Sequence, residues 1–259
     1  MADIEGVLLD IDGVLAVSWD PLPGGIEAIA WLRSHDVPFR LVTNTTTKTR
    51  ADLAQTLRSA GFDVRDEEIV TAVVATAEYL RAHHDGDVVY VLSDGDAMAD
   101  LKGIELGRVD DADVIVLGGA YDGFTYATLN GVFRRLMEHA RLIGMHRNLY
   151  WLTSGGLQLD AGAFISGLEE ATGRKAVICG KPTKPYFDSA LTVLGVPAER
   201  AVMVGDDIVS DVRGAQQAGM RAVHIPLSAI PSGQVGHSEG TPDAVIHALS
   251  ELPGVLGRL

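Results

Sequence analysis

The chain has 259 residues, 47% of them apolar, and sets 21 basic side chains against 35 acidic ones for a net charge of −14. That length carries one large domain or two modest ones with a sizeable core. The acidic balance excludes broad binding to nucleic acid or anionic membranes, which needs basic surface.

The predicted elements alternate strand and helix almost throughout, taken in order from the N-terminus. Residues 7–11 read as a buried strand. A helix follows over 25–34, with Ile26, Ile29, Ala30 and Trp31 on one stripe. Residues 39–42 form the next strand. The run 44–47 is rich in capping residues and starts a helix that ends at Gly61. A strand-like piece over 68–71 precedes a helix over 73–82. The polar run 83–87 marks a boundary. Beyond it, 88–92 and 113–117 read as strands. A long helix over 125–139 places Leu129, Val132, Phe133, Leu136 and Met137 on one face. A strand over 149–153, a helix over 163–172 closed by Gly173 and a strand over 175–179 follow. The chain then reads helix 186–194, strand 201–204, helix 211–218, strand 222–225 and helix 242–252. The stretch 228–240 is a surface loop.

Cys179 is the single cysteine, so no intrachain disulfide forms, which fits a reducing compartment. The start MADIEGVLLD has no basic segment before its short apolar run and is not a signal peptide. The longest apolar stretches, such as VIVLGGA from Val114, fall far short of a membrane span. A soluble, cytoplasmic protein is expected.

Four polar clusters follow apolar, strand-like runs. They are Asp10 and Asp12 after GVLL, Thr43 and Asn44 after FRLV, Lys181 after AVICG, and Asp206 and Asp207 after AVMVG. In an open parallel sheet ligands bind beyond the carboxyl ends of the strands, so the clusters are expected to meet at one edge. All four lie outside 85–175. The expected fold class is therefore α/β: a doubly wound, Rossmann-like parallel core (1–82 and 177–259) with an inserted α/β cap domain (83–176).

Each cluster has its own chemistry and its own bland explanation. Asp10 and Asp12 lie two apart, on one side of extended backbone, and Gly13 permits a tight turn. One carboxylate can attack phosphorus while its neighbour, titrating differently, protonates the leaving oxygen and then activates water. The same residues also occur at ordinary strand-end turns. In GDDIVSD, Asp206 is first beyond the strand and the best metal ligand, with Asp207 in support. Asp211 opens the next helix and is equally an N-cap or first-turn acid. Magnesium is favoured over zinc because no His or Cys cluster accompanies these acids. Lys181, fixed by Pro182 and Pro185, suits a phosphate as a point charge, although single lysines are usually solvated. Thr43 and Asn44 offer a hydroxyl, an amide and a helix N-terminus to phosphate oxygens, against plain helix capping.

Other features carry less. The eight His show no metal spacing, and His83-His84 reads as a solvated helix end. Ser154-Gly155-Gly156 is loop, and Gly118-Gly119 with Gly123 is no dinucleotide fingerprint. Trp19, Trp31 and Trp151 are read as core or domain-interface packing.

In order, DIDGVL, VTN, GKP and GDDIVSD resemble the four motifs of the haloacid dehalogenase superfamily. The large insertion after the second motif looks like the α/β cap of its class IIA, nitrophenylphosphatase-like phosphatases. The cap stretches FTYATLNGVFRRLM, LIGMHRNLYW and GLQLDAGAFISGLEEATG look closest to the branch holding phospholysine phosphohistidine inorganic pyrophosphate phosphatase and its hydrolase-domain-containing relatives.

The resemblance implies Asp10 as nucleophile and Asp12 as general acid/base. It implies phosphate binding by Thr43, Asn44 and Lys181. Mg2+ would be held by Asp10, the Asp12 backbone carbonyl and Asp206, with Asp207 or Asp211 supporting. An acid at position 12 favours phosphatase over dehalogenase chemistry. The expected partner is a small phosphorylated metabolite, and cap-mediated homodimers occur in the resembled group. After Ala222-Val223-His224-Ile225 the chain departs from its relatives' Thr-Gly-Lys-like segment and runs Pro226-Leu227-Ser228-Ala229.

The expected function is magnesium-dependent phosphatase activity on small phosphate monoesters or pyrophosphate-like substrates, through an aspartyl-phosphate on Asp10. A competing reading is a non-enzymatic aspartyl phosphoacceptor like a receiver module. The motif order and the long insertion argue against it. A catalytically idle relative used for interaction is a third reading, opposed by the intact acids and lysine.

Overall fold

The computed structural model describes residues 4–17, 19–153, 156–226 and 241–259. Its elements are, in order, β1 (Gly6–Asp10), β2 (Ala16–Val17), β3 (Asp20–Pro21), α1 (Gly25–Ser34), β4 (Phe39–Thr43), α2 (Arg50–Ser59), β5 (Ile69–Thr71) and α3 (Ala72–His83). Next come β6 (Val89–Leu92), β7 (Val114–Leu117), α4 (Tyr126–Glu138), β8 (Arg141–Gly144), β9 (Tyr150–Thr153), β10 (Gly156–Leu159), α5 (Ala161–Thr172) and β11 (Val177–Ile178). The chain closes with α6 (Lys184–Leu194), β12 (Ala201–Gly205), α7 (Gly214–Gln217), β13 (Arg221–His224), β14 (Ala244–Val245) and α8 (Leu252–Leu256). Of the residues expected to form loops, 154–155 and 228–240 lie outside the described residues, and Gly156 instead opens β10.

The chain divides into two compact units. The first holds Met1–Thr43, Arg50–Val70 and Lys181–Leu259, and the second Asn44–Thr49 and Thr71–Gly180. The first unit is built on a six-stranded sheet in the order β14-β13-β12-β1-β4-β5. The pairs β1–β12, β1–β4, β12–β13 and β13–β14 are all parallel. Every residue of β1 and β12 is buried, which explains their unbroken apolar runs: a parallel strand covered on both faces has no solvent side to mark with polar residues. The core beneath gathers Val7, Leu9, Leu41 and Val204 with Ile29 and Leu32 of α1 and Leu53 and Leu57 of α2.

The second unit carries a four-stranded parallel sheet, β11-β8-β7-β6, and the antiparallel hairpin β9–β10. Helix α3 belongs here. Its Ala72, Val73, Ala77 and Leu80 pack with Val89, Val114, Val116 and Ile143. The polar run 83–87 is thus a turn inside this unit. The chain crosses between the units at Val70–Thr71, where β5 runs directly into a helix whose cap is Thr71, accepting from the Val74 N–H at 3.2 Å. Asn44–Thr49 also joins this unit. The Gly119 N–H donates to Thr46 Oγ1 at 2.9 Å, and Ser93 Oγ donates to the Thr46 carbonyl at 3.3 Å.

Several expectations need correction. Helix α2 starts at Arg50, not among 44–47, whose polar groups serve the second unit instead. The buried face of α1 is Ala28, Ile29 and Leu32; Ile26 is exposed, and Trp31 is partly buried and stacks on His35. Met137 on α4 is exposed rather than part of the buried face. His84 is buried and pairs through Nδ1 with Asp87 Oδ2 at 2.8 Å, so only His83 is solvated. Strands β8 and β10 escape the sequence pattern. β8 follows α4 after two residues with no turn signal, and β10 exposes its apolar Leu157 and Leu159.

The expected helix over 242–252 is instead strand β14 followed by a short turn and α8. Asp243 fixes this change. Its carboxylate accepts from the Ala222 N–H at 2.8 Å and from Gln216 Nε2 at 3.1 Å, laying β14 against β13 and burying Ile246. Replacing Asp243 by Ala unpairs the Ala222 N–H at the start of a core strand. The expected cost is about 1–2 kcal/mol in urea unfolding. A loss below about 0.3 kcal/mol would mean that the sheet edge does not depend on this carboxylate.

Candidate active site

Parallel pairing brings the strand ends together before any side chain is considered. Leu9 lies opposite Val204 and Asp10 opposite Val42, so Asp10, Thr43 and the residues after Gly205 emerge at one edge of the first unit's sheet. Lys181 reaches the same place from the segment preceding α6. Its Nζ lies 2.8 Å from Asp10 Oδ1 and 2.7 Å from Asp211 Oδ1, and the ammonium is 3% exposed. Carboxylate oxygens of Asp10, Asp206 and Asp211 lie within 4.8 Å of one another.

Two glycines allow this crowding. Gly13 has φ +85, and a Cβ there would sit 2.4 Å from Asp206 Oδ2. A Cβ on Gly205 would sit 2.2 Å from the Asp211 Cβ. Neither position tolerates a side chain without displacing an acid.

The local fold assigns the acids of GDDIVSD differently from the helix-cap expectation. Asp207 is the cap, accepting from Val209 N at 2.9 Å and Ser210 N at 2.6 Å. It opens a wide helical turn over Ile208–Arg213. Asp211 therefore falls in the first turn, fully buried, and faces the ammonium. Its Oδ2 also accepts the Asp207 N–H at 3.2 Å.

The electrostatics follow from burial. Burial pushes Asp10 up to about 6, with Asp206 and Asp12 adding to the shift and Lys181 opposing it. Burial and the Asp211 charge push Asp206 up to about 7. Burial likewise outweighs Lys181 at Asp211, which also rises to about 7. For Lys181 the balance runs the other way. Burial alone would lower it, but the Asp10 and Asp211 charges together hold it well above the ordinary lysine value. Three repelling carboxylates against one ammonium leave the cluster short of positive charge, and an all-oxygen donor set of this kind fits a hard divalent cation such as Mg2+.

Asp12 is exposed and follows the buried Ile11 on a turn in which the Gly13 N–H donates to the Ala16 carbonyl at 2.9 Å. Its carboxylate is not among the three clustered acids, Asp10, Asp206 and Asp211. Thr43 is buried at the end of β4. Asn44 belongs to the second unit, where a Cβ on Gly180 would meet its Oδ1 at 2.7 Å.

Two residues at this edge escaped the sequence reading. Tyr186 is fully buried on α6, and its hydroxyl faces the carbonyls of Val70 and Thr43. His224 Nε2 lies 3.0 Å from the Asp206 carbonyl. A carbonyl only accepts, so Nε2 carries the proton there. Tyr186 sits on a helical apolar stripe that reads as core, and His224 ends an apolar strand; neither context signals a polar task.

Replacing Lys181 by Met leaves Asp10 and Asp211 buried without a counter-charge. The expected cost is about 3 kcal/mol near pH 8. Carboxyls whose folded pKa lies above the unfolded value take up protons on folding, so the penalty is present when they are ionised and fades as pH falls. Urea unfolding should therefore show a smaller deficit at about pH 5.5 than at about pH 8; an equal deficit at both would contradict this electrostatic account.

A family model described as haloacid dehalogenase-like hydrolase matches residues 7–107, and one described as HAD-hydrolase-like matches 178–252. The human phospholysine phosphohistidine inorganic pyrophosphate phosphatase is 34% identical over 99% of this chain and 95% of its own length. The human haloacid dehalogenase-like hydrolase domain-containing protein 2 is 39% identical over 85% of this chain and 83% of its own. The solved p-nitrophenyl phosphatase of Archaeoglobus fulgidus superposes with a TM-score of 0.90 at 26% identity, covering 99% of this chain and 100% of that one. With both sheets, the ordered motifs and full-length relatives in agreement, the chain belongs to the haloacid dehalogenase-like hydrolase family.

Proposed function

We propose that the chain is a phosphatase that hydrolyses small phosphate monoesters through an aspartyl-phosphate on Asp10. The observation that carries this reading is the buried Lys181 ammonium, 2.8 Å from Asp10 Oδ1 and 2.7 Å from Asp211 Oδ1. It orients the Asp10 carboxylate and opposes the rise that burial forces on it. The names of the human and archaeal relatives, both phosphatases, support the same class.

In the first step an Asp10 oxygen attacks the phosphorus and the ester oxygen departs. Asp12, exposed beyond the strand, delivers its proton to the departing oxygen, giving the alcohol. In the second step Asp12 takes a proton from water, the water oxygen attacks the phosphorus, and the P–O bond to Asp10 breaks. Orthophosphate leaves and both carboxyls return to their starting states. Lys181, Thr43 and Asn44 hold the phosphoryl oxygens. Mg2+, held by Asp10, the Asp12 carbonyl and Asp206 with Asp211 or Asp207 in support, would offset phosphoryl negative charge when bound. No helix among the described residues is long and apolar enough to cross a membrane, and the acidic surface suits a small substrate rather than a polyanion.

Replacing Asp10 by Asn should lower phosphate release from an aryl phosphate by at least about a thousandfold, with the fold retained. Activity near the wild-type level would remove Asp10 from the mechanism. The same assay over a panel including pyrophosphate, phosphoglycolate, pyridoxal phosphate and nucleotides reads the substrate class.

Magnesium should raise the melting temperature at about pH 8 and do so less below about pH 6, because protons then compete for carboxyls lying at about 6 and about 7. Replacing Asp206 by Asn should abolish most of that shift. A shift independent of both pH and Asp206 would place the ion elsewhere.

A further inference from the structure

The buried hydroxyl of Tyr186 has no part in the two chemical steps, yet it sits at a singular place in the chain. The backbone leaves the first unit after Thr43 and again after Val70, and finally returns at Lys181. In the first turn of α6, the Tyr186 hydroxyl lies 2.8 Å from the Val70 carbonyl and 3.2 Å from the Thr43 carbonyl. A phenol has a single proton, so one bond is shared unevenly between the two carbonyls, the Val70 contact being the stronger. Burial holds the phenol well above its ordinary pKa, and the group remains a donor throughout the working range. The ring is locked by full burial and by an edge-on contact with Phe187, at 5.7 Å between centroids and 84° between planes.

The Thr43 carbonyl belongs to the peptide plane that also carries the Asn44 N–H. Fixing the oxygen fixes the plane, and with it the direction in which both residues leave β4. We propose that Tyr186 is a positioning residue for phosphoryl binding, its hydroxyl setting the Thr43–Asn44 peptide rather than touching the substrate. The inference rests on the assignment of Thr43 and Asn44 as phosphate binders. It separates binding from chemistry: loss of the hydroxyl weakens phosphoryl capture and leaves the Asp10–Lys181 pair in place.

The test compares wild type, Tyr186→Phe and Thr43→Val, using inhibition by inorganic phosphate, the steady-state constants for an aryl phosphate and the magnesium-induced shift in melting temperature. For Tyr186→Phe, phosphate inhibition and KM should weaken about five- to tenfold, with kcat within about twofold and the magnesium shift unchanged. If Thr43→Val weakens phosphate inhibition but Tyr186→Phe only lowers the melting temperature, the hydroxyl is structural and the proposal is overturned. If Thr43→Val leaves phosphate inhibition unchanged, the phosphate-binding assignment itself falls, and the role of Tyr186 with it. Should Tyr186→Phe not fold, Tyr186→Gln and Tyr186→Met compare similar side chains with and without a donor. Weaker phosphate inhibition in the Met variant supports the proposal, and equal inhibition overturns it.

Discussion

The site depends on one buried ammonium. Lys181 stands between Asp10 and Asp211, almost wholly out of water, and its charge is what permits two acids to share that space. A buried ion pair is a poor source of net stability, since desolvation consumes most of the attraction. The arrangement is better understood as a charge device. The carboxylates hold the ammonium protonated, the ammonium opposes the rise that burial forces on Asp10, and the surplus of negative charge creates demand for a cation. Removing any one member changes the others.

The fold supplies this device by topology rather than by local sequence. Four segments distant along the chain end at one sheet edge because their strands are parallel neighbours or feed a helix beside them. The wide turn after β12 then determines which acid does what. By capping that turn, Asp207 frees Asp211 to drop into the interior beside Lys181. Gly13 and Gly205 remove the two Cβ atoms that would otherwise push the acids apart. Around this edge Tyr186 and His224 tie backbone carbonyls of the site-bearing segments.

Much of this was legible in the sequence, for physical reasons that also mark the limits. Fully buried parallel strands announce themselves as apolar runs, and the polar residue after each run is visible because little else at that depth is polar. Asp10 and Asp206 stand out that way, whereas Lys181 follows the short, partly exposed β11 of the second unit. The role of Asp211 does not stand out, because a cap and a buried partner look alike until the turn geometry is known. The passage between units at Val70–Thr71 left no compositional trace, since an apolar strand runs straight into an apolar helix. β14 was masked by helix-compatible residues and is held by the Asp243 carboxylate, a long-range bond that no local pattern encodes. Tyr186 was hidden for the opposite reason: its ring satisfies the apolar stripe of α6, and its hydroxyl is silent in any hydrophobic periodicity.

The most direct test of the central claim is chemical trapping of the phosphorylated carboxyl. Wild-type protein turning over an aryl phosphate with magnesium is quenched in acid and reduced with borohydride, which converts an acyl phosphate of aspartate to homoserine. Peptide mass spectrometry should then find homoserine at position 10 and at no other aspartate. Turnover with Asp10 unmodified, or modification at Asp12, Asp206 or Asp211 instead, would contradict the account.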